Sequence, residues 1–158
     1  MKENNQDGFS LIELLIVVAI IGIIASIAIP NLLASKRAAN EGSAQSSMRT
    51  INSCEGTYRF TYGNGEYADL ATLGTKTLTD EVLASGTKSG YNFVVNPVPG
   101  APEFWAYALP TITSGIPKTG TRRFAITEDS VLRGDSDLTA PADEAAINGS
   151  PGIPALGN

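Results

Sequence analysis

DGFSLIELLIVVAIIGIIASIAIP, residues 7–30, is apolar almost throughout, yet a carboxylate, Glu13, stands near its start. From Phe9 to Ile29 the run is about 21 residues long, so at a rise of about 1.5 Å per residue a helix would span about 31 Å, the depth of a bilayer's hydrocarbon core. A removable secretory signal competes with this reading, and Ser26-Ile27-Ala28 would be its cleavage site. Such a signal needs a basic start and a shorter apolar region, whereas here Lys2 is opposed by Glu3 and Asp7 and the run is too long. The stretch reads as a membrane segment.

Working outward, Pro30 is the first break in the pattern, and proline can kink a helix without ending it. Beyond it Ala34, Ala38, Ala44, Met48, Ile51, Cys54 and Tyr58 recur mostly at three- and four-residue intervals. Lys36, Arg37, Asn40, Glu41, Gln45, Arg49 and Asn52 fill the other faces, which is the pattern of an amphipathic helix with one buried stripe. Gly63-Asn64-Gly65 supplies residues suited to the left-handed positions that follow a helix. One helix of about fifty residues is therefore expected from near Phe9 to about Thr61, far longer than the roughly dozen residues of an average globular helix.

Glu66 to Gly86 reads as loop with short helical pieces at Asp69–Leu73 and Thr79–Ala84. The period then changes to two. Tyr91–Val95, Glu103–Leu109 and Arg122–Ile126 are rich in aromatic and branched residues, and Val131–Arg133 follows the turn-like Glu128-Asp129-Ser130 as a short fourth strand. Closely spaced runs of this kind predict an antiparallel meander with one face on the amphipathic helix, an α+β fold. Ser136–Asn158, poor in aromatics and rich in Ala, Pro and Gly, is expected to be an irregular or mobile surface tail.

Composition narrows the function. The chain has 158 residues and a net charge of −5, so no general basic field marks a nucleic-acid binder. It has no histidine and a single cysteine, Cys54. The usual general base, the commonest metal ligand and any internal disulfide are missing together, which argues against an enzyme.

Gly8-Phe9-Ser10-Leu11-Ile12-Glu13-Leu14-Leu15-Ile16-Val17-Val18 resembles the class III signal of type IV pilins and of the pseudopilins of type II secretion. The likeness is specific from Gly8 to about Leu33 and extends over the rest only as architecture, a pilin-like long helix packed on a small antiparallel sheet. It implies that a prepilin peptidase cuts between Gly8 and Phe9 and methylates the new amine of Phe9. Residues 1–8 would be the leader, 9–30 the membrane and filament-core helix, 31–62 its amphipathic half, and 63–158 the head with its tail. Gly22 and Pro30 fall where family helices loosen.

An α-amine is mostly cationic at neutral pH. A carboxylate at the centre of a membrane helix costs about 2.5–3.5 kcal/mol on insertion scales, and less near the interface. In a stack of subunits Glu13 of one copy can meet the Phe9 amine of the next, and an out-of-step copy would leave the carboxylate unpaired. Phe9 and Glu13 are thus the expected assembly residues; otherwise Glu13 simply reaches for the headgroups. Gly22, Ser26 and Pro30 share a face with Ala19 and Ala25 nearby, which suits close helix approach but is also ordinary membrane-helix composition.

The remaining features have bland readings. Cys54 is a small core residue. Tyr58, Phe60 and Tyr62 are expected to pack the helix on the sheet rather than conduct electrons. Asp129, Asp135, Asp137, Asp143 and Glu144 are hard ligands such as the calcium site of major pseudopilins uses, but their spacing fits a solvated acidic surface better; no cofactor is expected. Lys88, Lys118, Arg122 and Arg123 would touch DNA only if they converged, and no specific nucleic acid is predicted.

The reading is a non-enzymatic major subunit of a type IV pilus, held in the inner membrane by lipid and then polymerised into an extracellular filament. Its partners would be copies of itself, the prepilin peptidase and an inner-membrane assembly platform. The alternatives are the major pseudopilin of a type II secretion system, with a periplasmic filament, and a membrane-anchored extracytoplasmic binding domain that never polymerises.

Overall fold

The computed structural model describes residues 9–149 and 151–156. The fold is α+β. Helix α1 covers Leu11–Thr61, followed by α2 (Leu70–Thr75), α3 (Glu81–Ala84), strands β1 (Thr87–Lys88), β2 (Tyr91–Pro97), β3 (Phe104–Pro110), β4 (Arg123–Thr127), β5 (Arg133–Asp135) and a last turn of helix, α4 (Ala145–Asn148). Internal contacts divide the chain into two units, Met1–Ser35 and Lys36–Asn158. The first holds the apolar part of α1 and is taken up with the site below.

In the second unit α1 ends where the sequence turns to glycine. Tyr62 and Gly63 both donate to the Tyr58 carbonyl at 2.8 Å, and Asn64 and Gly65 then take φ of 49° and 101°. Asp69 and Asp80 start the next two helices by accepting the Thr72 and Leu83 amides at 2.7 and 3.0 Å, each satisfying a helix-start donor that has no partner inside the helix.

The sheet has the order β1-β2-β3-β4-β5, each neighbour antiparallel. Register runs from Tyr91 opposite Pro110 to Pro97 opposite Phe104, and from Trp105 opposite Thr127 to Ala108 opposite Phe124. Tyr91, Phe93, Val95, Phe104, Ala106, Ala108, Phe124 and Ile126 alternate along their strands to one face. They join Ala44, Met48, Ile51 and Cys54 of α1 in the main core. The expected stripe is therefore right from Ala44 onward but not before it, since Ala34 and Ala38 are exposed. Of the helix-end aromatics only Tyr58 packs on the core; Phe60 is 86% exposed and Tyr62 48%.

Three details correct the expectation. β1 is an extra edge strand: Thr87-Lys88 folds back on Tyr91-Asn92 through Ser89 and Gly90, both at positive φ (50° and 74°), the signature of a tight two-residue hairpin. The last strand lies at Arg133–Asp135, not Val131–Arg133. Asp129 accepts Val131 N–H at 2.9 Å and Ser130 takes φ 62°, so the turn consumes the residues assigned to the strand.

The largest correction concerns the tail. β4 is buried on both faces. Its Ala125 lies in a second cluster with Ile147 and Ile153, flanked by Trp105 and Tyr107 of β3. Ala155 bridges Arg133, and Leu156 N–H bonds the Leu132 carbonyl at 2.9 Å. The segment is irregular over residues 136–144, as expected, but Ile147 is fully buried and Ile153 only 3% exposed, so it is a cover for the sheet's outer face and not a surface tail.

Candidate functional site

The first unit carries the residues expected to act in assembly. Phe9 is 86% exposed, ahead of the first turn of α1. Ser10 donates its backbone N–H to Glu13 Oε2 at 3.0 Å, and the Ser10 carbonyl accepts the Leu14 N–H at 3.2 Å. A glutamate three residues into a helix reaching back to the residue before it is the return half of a capping box. Ser10-Leu11-Ile12-Glu13 fits that S-x-x-E pattern, a signal that the reading of Glu13 as a membrane carboxylate passed over. The carboxylate also sits at the positive end of the helix dipole, which favours a negative charge. Glu13 thus has one oxygen engaged within its own chain, while the side chain stays open to approach from outside.

From Phe9 to Leu32 every residue is exposed except the half-buried Ala25. Leu11 is 81% exposed, Ile23 64% and Leu32 68%. A helix apolar on all faces must be covered by lipid or by other helices. At Gly22 an added Cβ would meet nothing within 4 Å, so no contact inside the chain requires glycine there. Pro30 lies inside α1, where its missing N–H deprives the Ser26 carbonyl of its bond. Ser26 Oγ donates to the Ile23 carbonyl at 2.7 Å. The backbone is helical at both Gly22 and Pro30. Gly8, the expected cleavage residue, and the rest of the expected leader lie outside the described residues.

The sequence profile of the prokaryotic N-terminal methylation motif matches residues 4–29. The chain is 34% identical over 124 residues to the type IV wide pilus major component PilA4 of Thermus thermophilus, spanning 74% of this chain and 90% of that protein. This chain belongs to the type IV pilin family. It is 28% identical over 151 residues to the type IV major pilin protein PilA of Myxococcus xanthus, covering 92% of this pilin and 64% of the relative. It is 34% identical over 59 residues to the type II secretion system core protein G of Aeromonas hydrophila, 37% of this chain and 41% of the other. No solved structure matches. The family consists of structural subunits that polymerise and carry the N-terminal processing motif, not of enzymes.

In the pilin's head the acidic residues singled out as hard ligands all have protein partners. Asp129 pairs with Arg133 Nη2 at 2.6 Å, and Arg123 holds Asp135 through two bonds of 2.7 and 2.9 Å and lies 3.4 Å from Asp137. Asp143 accepts the Ala146 N–H at 2.8 Å and Glu144 the Asn148 amide at 3.0 Å. Among the described residues no group of three such side chains is arranged to hold a metal ion. The basic residues are likewise dispersed: Arg123 is buried, Lys88 pairs with Asp80 at 3.0 Å, and Arg122 lies over the Phe124 ring at 5.9 Å.

Arg123 also donates to the Thr139 carbonyl at 2.6 Å, so one guanidinium joins β4, β5 and the segment that returns over the sheet. Cys54 is a free thiol in the core, bonded to the Leu78 carbonyl at 2.8 Å, and burial pushes it up from its ordinary value. Beside it Glu55 is fully buried, a carboxyl that no periodicity argument flagged.

Proposed function

We propose that this pilin is the major structural subunit of a type IV pilus. The observation that carries the reading is the similarity to a pilus major component over 90% of that protein's length, head included. The matches to type II secretion core protein G cover only 37% of this chain at Aeromonas hydrophila and 32% at Dickeya chrysanthemi, so a pseudopilin role is the second reading.

The mechanism is assembly. A prepilin peptidase cuts after Gly8 and methylates the Phe9 amine, which stays basic. The inner membrane stores the subunit with Phe9–Ile29 in lipid, and an assembly platform extracts it. Extraction is thermodynamically feasible because the apolar surface moves from lipid into a packed core of the same chemistry. Glu13 then meets the Phe9 amine of a neighbour and sets the register. At an effective dielectric near 20 such charges about 4 Å apart attract by roughly 4 kcal/mol, so a slipped copy is disfavoured. Gly22 and Pro30 both weaken regular helix and would let the segment between them extend on polymerisation. A filament reconstruction with regular helix throughout Gly22–Pro30 would remove that last role.

The test is the intact mass and N-terminal peptide of protein sheared from native cells. Long fibres built from a chain starting at methylated Phe9 are the expected result. A chain with the same processed end that stays with the membrane supports the pseudopilin. One that keeps Met1–Gly8, or is cut after Ala28, ends the filament reading.

A further inference from the structure

We propose that loop 111–120 of one copy seats Ile116 in the pocket between α2 and α3 of a neighbouring copy, with Lys118 set against Glu81. The inference rests on the polymer reading above and names two surfaces of the head that meet in the polymer.

The pocket has a volume of about 580 Å3 and is lined by Ala71, Gly74, Thr75, Thr77, Glu81 and Ala84, among others. Small residues create it: a Cβ on Gly74 would collide with that of Ala84. Its wall is otherwise threonine, alanine and one serine, Ser85, with a single carboxylate, Glu81.

The plug lies elsewhere on the head. Ile116 is 77% exposed, between Gly115 at φ 78° and Pro117. The loop that carries it is tied at its base. Thr111 N–H bonds the Gly90 carbonyl at 2.9 Å, Thr119 N–H the Ile112 carbonyl at 3.0 Å, and Asn40 Nδ2 the Thr119 carbonyl at 2.9 Å. A large apolar side chain on a braced, proline-stiffened loop loses little freedom on docking. Phe60 is more exposed, but its ring already faces the Arg59 guanidinium at 5.8 Å.

Charge and height both point to a second copy as the occupant. Neither Glu81 nor Lys118 has an ion-pair partner among the described residues, whereas neighbouring Asp80 and Lys88 have each other. An isoleucine two residues before a lysine thus matches an apolar pocket with a carboxylate in its lining. The loop is fastened beside Asn40 of α1, and the pocket segment beside Cys54, whose thiol bonds the Leu78 carbonyl. At about 1.5 Å per residue those levels are roughly 21 Å apart along the helix. Plug and pocket come level when one copy is displaced by that distance along the axis of another. Two different patches meeting across copies form a heterologous contact, which propagates into an open filament instead of closing a dimer.

The experiment uses the full chain expressed in its native cells, with fibres collected by shearing. Ile116→Asp is expected to lower fibre yield at least tenfold while the chain still accumulates in the membrane. Glu81→Lys and Lys118→Glu should each lower it severalfold, and the double reversal should restore it. In otherwise wild-type fibres, Thr77→Cys with Ile116→Cys should oxidise to a ladder of covalent multimers that neither single cysteine yields. The cysteine pair and the charge reversal decide the matter even if the aspartate variant is degraded. If the wild-type chain makes fibres but the cysteine pair gives no ladder and the double reversal no rescue, this contact alone is overturned. If the wild-type chain makes no fibres at all, the polymer reading fails and this contact falls with it.

Discussion

Glu55 Oε2 accepts the backbone N–H of Ala68 at 3.1 Å, while Glu55 Oε1 is sealed from solvent with no partner among the described residues. A half-satisfied carboxyl in a core of Met48, Ile51 and Leu73 is costly when ionised. Burial first, then the nearby Asp69 carboxylate, push it up, against the Ala68 bond, to about 7.

The sign of the pH effect follows. Between an unfolded value near 4.3 and the folded value, the folded head holds a proton that the unfolded chain has released. Stability from this group is greatest in acid, falls by up to roughly 3–4 kcal/mol as pH rises through that window, and is level above it. Asp69 and Asp137, held low by bonds from Thr72 and Thr139, lose their contribution only in stronger acid, outside the window. Thermal melts of the full chain in detergent should therefore show Glu55→Gln flattening the fall between pH 5 and 8 and raising the melting temperature at pH 8 by several degrees. An unchanged pH slope would mean that the carboxyl is not the titrating group.

Arg123 should be the costliest single side chain to lose on the sheet's rim. It is buried and bonded to Asp135 and Thr139, so Arg123→Met leaves the half-buried Asp135 carboxylate with only the Asp137 N–H and frees the returning segment. Breaking such a pair from one side costs about 2–4 kcal/mol. Chemical denaturation should report that loss, and limited proteolysis should show earlier cleavage after Thr139. Arg123→Lys should recover only part of the stability, since a lysine cannot reproduce the two-pronged grip.

The cover over the outer face makes a separate prediction. Ile147→Ala and Ile153→Ala each remove a buried side chain from the cluster on Ala125, at about 2–4 kcal/mol apiece. Both sites should destabilise as core positions do, which urea unfolding of each variant measures. A surface tail would tolerate either change within about 0.5 kcal/mol.

Those residues also mark where the sequence was legible. The apolar run and the Gly63-Asn64-Gly65 stop place α1 almost to the residue, because length and glycine chemistry are local signals. β2 and β3 follow from period-two alternation for the same reason, and β4 from the short apolar run Phe124-Ala125-Ile126, continuous because both its faces are covered. Ile147 and Ile153 stand alone among Ala, Pro and Gly, so no period betrays them. The clue lay across the chain in Trp105, Tyr107 and Ala125, apolar positions on the side of the sheet turned from the helix. Glu55 is hidden differently: at four residues after Ile51 and three before Tyr58 it stands on the buried stripe by spacing, but its charge disguises it, and only the Ala68 N–H from beyond the helix end gives the carboxyl a partner there. At the assembly segment the motif from Phe9 to Glu13 is plain in the sequence, and the capping geometry of Ser10 and Glu13 was readable but masked by the charge argument. The proposed pairing of Glu13 with an amine would need a second copy, so it lies outside one chain's contacts.

That pairing can be separated from the cap. Glu13→Gln keeps an acceptor for the Ser10 N–H, so the start of α1 and membrane insertion should persist, but it removes the charge that a neighbour's amine would meet. Glu13→Ala removes both. If the charge sets register, the two variants should be equally poor at assembly, with sheared-fibre yield down at least tenfold while processed chain accumulates in the membrane. If the cap is what matters, the glutamine variant should assemble at near wild-type yield and only the alanine variant should fail. Processing serves as the control, since N-terminal sequencing of the membrane-held chain should begin at Phe9 in both. Loss of fibres together with loss of cleavage would place the defect at the peptidase instead of in the filament.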